Sequence, residues 1–197
     1  MELLQGMEAC PQRLMLENVQ GFEGSDTCAR LMEVLALRGY QFPAQAAPQD
    51  LSAAAQPSSI AQYLEQLSAR EVADFAVEDR VAAAAARQPL DVATAASTAT
   101  ITFTKGYGRQ IGKAGPYLLL SEDGVTVEWG GRARFSFVEG GQKLRYFTPR
   151  EMLRVAGFPE SFVFSPGTSN RAAYKLIGNS INVTVVSRLL SWLLAQG

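Results

Sequence analysis

A short apolar run, Leu14-Met15-Leu16, opens the first patterned stretch of the chain, and Glu17-Asn18 end it. A run of that length suits a buried strand. Ser25 then stands where a helix N-cap would, and Cys28, Leu31 and Leu35 recur behind it with helical spacing. Gly39 after Arg38 suits the left-handed position that closes a helix, with Tyr40 beyond it. The pattern over 13–42 therefore predicts one βα unit. Between 43 and 62 Ala, Gln, Pro and Ser dominate and no period emerges, which predicts a linker or loop. Tyr63-Leu64 and Leu67 permit some helix. The Ala82–Ala86 run has helix propensity but no apolar anchors, so no packed structure is expected there.

Alternation takes over from 101 to 147. Ile101 and Phe103 alternate with Thr102 and Thr104, and Val125, Val127 and Trp129 alternate with Thr126 and Glu128. Asp123-Gly124 between Tyr117–Leu120 and Val125–Trp129 predicts a hairpin. Phe135 and Phe137, then Tyr146 and Phe147, suggest two further strands. Thr148-Pro149-Arg150-Glu151 is a capping box with proline at the first helical position. Met152, Leu153 and Ala156 supply its buried stripe, and Gly157 followed by Pro159 stops it. Val183, Val186, Leu190 and Leu193 predict a last helix, capped by Asn182. Trp192 and Leu194 broaden its apolar face. The pattern divides the chain at 1–42, 43–100, 101–147 and 148–197.

Composition narrows the chemistry. Apolar residues make up 47% of the 197, enough for a real core. No run of about 20 apolar residues suits a membrane span. Met1-Glu2-Leu3-Leu4 carries an acid where a signal peptide carries positive charge, so export is not expected. The two cysteines, Cys10 and Cys28, cannot form a disulfide framework, and a reducing, intracellular setting fits them. There is no histidine. Nucleophilic catalysis built on histidine is thereby excluded, and a metal site is not expected. Charge is uneven: residues 1–100 hold 6 Lys+Arg against 13 Asp+Glu, and residues 101–197 hold 12 against 6. A basic carboxyl-terminal half suggests a surface for a polyanion.

Three motifs appear in order: Glu17-Asn18-Val19; Arg145 to Glu151 followed by Gly157-Phe158-Pro159; and Tyr174 to Gly178-Asn179-Ser180. Together they resemble motifs VI, IX and X of the cytosine-5 methyltransferase family. Phe103-Thr104-Lys105-Gly106-Tyr107-Gly108 is similar to the signature of the branch that methylates aspartate tRNA in its anticodon loop. Gln62-Tyr63-Leu64 also suits that branch. The resemblance implies an α/β fold: a partial Rossmann-like, S-adenosylmethionine-dependent methyltransferase core with a small β-containing target-recognition region. In these terms 1–42 is a remnant of the catalytic core. Residues 43–100 are a linker or poorly ordered, partly helical segment, 101–147 the target-recognition region, and 148–197 the motifs that close the cofactor pocket.

The resemblance also assigns roles. Glu17 matches the acid that binds cytosine N3, and Asn18 its neighbour that shapes the nucleophile loop. Gly178, Asn179 and Ser180 match the segment that holds S-adenosyl-L-methionine. Lys105, Tyr107 and Arg109 are candidates to face tRNA, Tyr107 by stacking on a base, with Lys113, Arg132 and Arg134 nearby. A cytoplasmic location, or a nuclear one besides, is implied.

Departures matter as much. The family's glycine-containing cofactor loop and its Pro-Cys-Gln nucleophile loop lie well upstream of the Glu-Asn-Val motif, and only 16 residues precede Glu17. Cys10 stands where the family has no nucleophile, and Cys28 falls on the predicted helix. An Arg-x-Arg strand motif expected after the first βα unit is replaced by 43–59, and Thr102 stands where the branch carries cysteine. The expectation is a shortened chain without activity of its own. The alternatives are a non-catalytic RNA-binding or interaction module, and a DNA-directed enzyme of the same superfamily.

Overall fold

The computed structural model describes residues 8–18, 21–41, 58–78, 90–120, 126–129, 132–135 and 144–195, with Gly6, Val81 and Ala84. The chain forms two compact units. One comprises Met1–Ala54 and Ser187–Gly197, the other Ala55–Val186.

In the first unit, α1 (Asp26–Leu37) starts where the sequence places it. The Ser25 side chain accepts a hydrogen bond from the Cys28 N–H at 3.1 Å, which satisfies one of the unpaired donors at a helix start. Cys28, Leu31, Val34 and Leu35 lie on its inner side. Gly39 has φ +80°, the Tyr40 N–H donates to the Leu35 carbonyl, and the Gly39 N–H to Ala36. These two bonds make a Schellman closure. Leu14-Met15-Leu16 departs from expectation. It forms no strand, because no described residue supplies a ladder partner, and Leu16 is exposed. Glu17 therefore does not follow a buried strand, contrary to the expectation.

The second unit is built on a five-stranded sheet in the order β3-β4-β1-β2-β5. The strands are β1 (Leu90–Ala93), β2 (Tyr117–Leu119), β3 (Thr126–Trp129), β4 (Arg132–Phe135) and β5 (Leu144–Arg145). β1 and β2 are parallel, with Val92 opposite Tyr117, and the other pairs are antiparallel. Leu118 and Ala93 pack into one cluster with Ile60, Phe147, Met152 and Ile177. Leu90, Val92, Tyr117 and Leu119 pack into another with Val81 and Leu144. The alternation of period two sends neighbouring side chains to opposite faces, so both faces of β1 and β2 are covered.

Several expectations are corrected here. Within 43–100, the residues 42–57 lie outside those described, but 58–78 and 90–100 are packed rather than linker-like. Leu90-Asp91-Val92-Ala93 carries little strand pattern. Burial between β2 and β4 makes it a strand, an instance of context outweighing propensity. A 3₁₀ turn covers Ile60–Tyr63 and α2 covers Ala69–Asp74, on either side of the expected position around Tyr63–Leu67. Ile101 to Thr104 forms no strand. The hairpin joins β3 to β4, with Trp129 opposite Arg132, and not β2 to β3. Asp123-Gly124 lies outside the described residues. The intervening Gly130-Gly131 pair is itself a strong hairpin signal.

The remaining helices are α3 (Pro149–Val155), α4 (Asn170–Ile177) and α5 (Val183–Ala195). The Thr148 capping box is complete in both directions: the Glu151 N–H donates to Thr148 Oγ1 at 3.1 Å, and the Thr148 N–H to Glu151 Oε2 at 2.8 Å. The Thr148 hydroxyl also donates to the Glu65 carboxylate. Removing it leaves both without a partner in a site where Thr148 is 2% exposed. Thr148→Ala should therefore cost about 2 kcal/mol, the upper end for a lost cap, read as a lowered urea midpoint at unchanged slope. A midpoint equal to wild type would contradict the cap. At the other end of α3, Gly157 (φ +77°) closes the helix, and a Cβ there would lie 2.3 Å from Thr184 Oγ1. The Val183 N–H donates to Ala156 O, and Val185 N–H to Asn182 Oδ1, so Asn182 caps α5 as expected.

Candidate functional site

The Phe103–Gly108 signature forms a tight loop closed by a bond from Thr104 N–H to the Ala114 carbonyl at 2.8 Å. Two glycines let it lie against α4. A Cβ on Gly108 (φ +72°) would sit 2.9 Å from the Tyr174 ring, and one on Gly178 would sit 2.2 Å from the Thr104 carbonyl carbon. Gly178 is thus required by the backbone of the signature loop pressing on it. Lys105, Arg109 and Lys113 are exposed on this loop.

Tyr107 is not exposed, and its expected role as a stacking platform is corrected. It is 3% exposed. Its hydroxyl donates to the Pro116 carbonyl at 2.7 Å and accepts from the Phe147 N–H at 2.9 Å. Its ring meets Phe103, Tyr146 and Tyr174 edge to face. No face is left for a base. Burial holds the Tyr107 hydroxyl well above its ordinary pKa, and does the same for Tyr174, which donates to the Phe147 carbonyl at 2.8 Å. The glycines on either side of Tyr107 were the signal in the sequence: they mark a loop lying close against something.

Glu151 is more than a capping partner. It is fully buried, and its two oxygens accept from Arg145 at 2.6 and 2.7 Å in the bidentate manner, from the Thr148 N–H and from the Glu65 N–H at 3.0 Å. This carboxylate ties β5, α3 and the segment after the Ile60–Tyr63 turn together. Arg145 is 3% exposed, and its Nε has no partner among the described residues. The capping box announced half of this cluster. Nothing local announced Arg145. On the outer side of α3, Arg154 donates to Glu160 at 2.7 Å, a bond that holds the Glu160 carboxyl below the usual range.

Glu17 and Asn18 belong to the first unit and are exposed. That unit holds a cleft of about 880 Å³ lined by Cys10, Cys28, Arg38 and Tyr40 among others. Arg38 Nη1 approaches Cys10 Sγ at 3.6 Å, and the Tyr40 hydroxyl donates to Pro11 O. In the second unit, Asn179 and Ser180 are exposed beyond α4, and the Ser180 hydroxyl closes the helix by donating to Ile177 O at 2.6 Å. Its lone pairs and the Asn179 amide can serve the rim of a cofactor site. The described residues form no glycine-lined cradle behind them. β4 carries Arg132 and Arg134.

The family described as C-5 cytosine-specific DNA methylase matches residues 57–194. The tRNA (cytosine(38)-C(5))-methyltransferase of Schizosaccharomyces pombe is 41% identical over 105 residues, 53% of this chain and 30% of that protein. The Homo sapiens protein of the same name is 37% identical over 108 residues, 51% of this chain and 27% of that one. The crystal structure of S. pombe Dnmt2 methyltransferase superposes with a TM-score of 0.79 at 26% identity, over 98% of this chain and 71% of that chain. The chain spans under a third of the length of these two curated relatives.

Proposed function

The chain belongs to the C-5 cytosine-specific DNA methylase family, and on that premise we propose that it is the carboxyl-side part of an enzyme that methylates cytosine C5 in tRNA. The observation that carries the RNA reading is the distribution of charge around the signature loop. No Asp or Glu occurs from 92 to 121 or from 161 to 197. Those stretches expose Lys105, Arg109 and Lys113 on the loop, and Arg171 and Lys175 one turn apart on α4. The loop lies against α4 through Gly108 and Gly178. Such a cationic face suits a phosphate backbone. The relatives named for tRNA support RNA over DNA, and the anticodon stem-loop of aspartate tRNA is the target we assign. A tRNA substrate fits a cytoplasmic location, or a nuclear one besides.

The chemistry asks for three groups. Cytosine C5 is a weak nucleophile until a thiolate adds to C6 and makes the ring an enamine. An acid at N3 keeps negative charge from building there, the role we assign to Glu17. The methyl group itself comes from S-adenosyl-L-methionine when bound, and Asn179 and Ser180 are the residues we assign to the rim of its site. We assign the thiolate to neither cysteine. Cys10 accepts from Arg38 in the cleft of the first unit, and Cys28 sits on the inner side of α1. On this reading the 197 residues by themselves bind tRNA and do not methylate it.

Binding to tRNA should weaken steeply as salt rises, because each neutralised phosphate releases condensed counterions. Lys105→Ala and Arg109→Ala should each lower the log–log slope by about one unit. Filter binding with a tRNA transcript against a DNA duplex of equal length measures this. Affinity that does not change with salt would sink the electrostatic reading, and preference for the duplex would favour the DNA-directed alternative.

A further inference from the structure

Phe147 occupies an unusual position between the signature loop and α4. Both of its backbone groups are taken by tyrosine hydroxyls: the N–H donates to Tyr107 at 2.9 Å, and the carbonyl accepts from Tyr174 at 2.8 Å. The two rings meet edge to face at 5.0 Å. Tyr107 also donates to Pro116, so one phenol joins the two ends of its own loop's surroundings to the residue that precedes the Thr148 cap. Gly108 and Gly178 then admit the loop to within contact of the Tyr174 ring and of the end of α4. The loop is fixed from three directions, and none of the fixing groups is exposed to a ligand. Lys105 and Arg109, which are exposed, ride on it.

We propose that Tyr107 is a positioning residue for nucleic-acid binding: its hydroxyl clasp on Pro116 and Phe147 holds Lys105 and Arg109 in fixed register with Arg171 and Lys175, so that the loop meets phosphate already ordered. The proposal rests on the RNA reading above. A preordered loop loses less freedom on binding than one that orders on contact. Tyr107 itself touches no ligand. Its effect passes through the two cations.

Tyr107→Phe removes the hydroxyl and keeps the ring. The full chain is titrated with an unmodified tRNA transcript over about 50–200 mM salt, the range in which phosphate contacts dominate. Hydrogen exchange of the α3 amides reports whether the fold persists. A merely destabilised protein has fewer binding-competent molecules but the same number of phosphate contacts, so its log–log slope is unchanged. The proposal expects the slope to fall by about one unit or more while α3 stays protected. It also expects Tyr107→Phe to add nothing to the slope of the Lys105→Ala/Arg109→Ala double variant. If α3 loses protection, Gly178→Ala takes its place. That variant disturbs the loop from the opposite side, at Thr104–Lys105, and should lower the slope likewise. A normal slope in either folded variant overturns the proposal, while the double variant's lowered slope leaves the RNA reading standing. A double variant with a wild-type slope overturns both.

Discussion

Glu151→Ala should destabilise the protein by about 3–5 kcal/mol, the cost of breaking a buried ion pair from one side. The carboxylate is fully buried and accepts four hydrogen bonds, two of them from the Arg145 guanidinium. Truncation strands a guanidinium that is 3% exposed and whose Nε already lacks a partner among the described residues. It also frees the Thr148 and Glu65 N–H groups, so the reciprocal half of the α3 capping box is lost, while the Thr148 hydroxyl keeps the N–H of residue 151. Against a total stability of about 5–15 kcal/mol such a loss removes much of the folded population. The double variant Arg145→Met/Glu151→Leu should recover only part of it, because replacing both charges by apolar groups avoids the stranded guanidinium but still frees the Thr148 and Glu65 N–H groups. Urea unfolding followed by circular dichroism separates the two. A loss below about 1 kcal/mol for Glu151→Ala, the range of exposed ion pairs, would mean that the pair is solvated in solution.

That cluster also marks the boundary of what the sequence discloses. Ser25, Gly39, Gly157, Asn182 and the Thr148–Glu151 box all behave as read, because each is decided by neighbours within a few residues. The motifs from Arg145 to Ser180 fall within the residues that the family matches. The features that were not legible depend on partners far along the chain. Glu65 meets Glu151 across 86 positions, and Tyr107 meets Phe147 across 40. β1 is a strand through its neighbours rather than its own pattern. Tyr107 looks like a base platform when read between Lys105 and Arg109. Only the fold shows that its hydroxyl is spent inward while the cations face out.

The second large effect concerns Glu17. In a longer protein whose upstream segment supplies the C6 thiolate, Glu17→Gln should lower methyl transfer by about 10²–10⁴-fold, the range that a positioned acid or base contributes. Glutamine retains the shape and a hydrogen bond but cannot give a proton to N3. Its tRNA affinity and salt slope should stay at the parent values, since Glu17 belongs to the first unit and the cations of the basic face to the second. A Glu17→Gln enzyme with parental turnover would remove Glu17 from the chemistry.

On the proposed reading, these 197 residues carry an RNA face and the acid at N3, and neither cysteine is the nucleophile. The decisive measurement is transfer of tritiated methyl from S-adenosyl-L-methionine to a tRNA transcript by these 197 residues alone. Binding of tRNA with no incorporation above background is the expected result. Robust incorporation that Cys10→Ala abolishes would contradict it, and would identify the Cys10 thiol beside Arg38 as the attacking group.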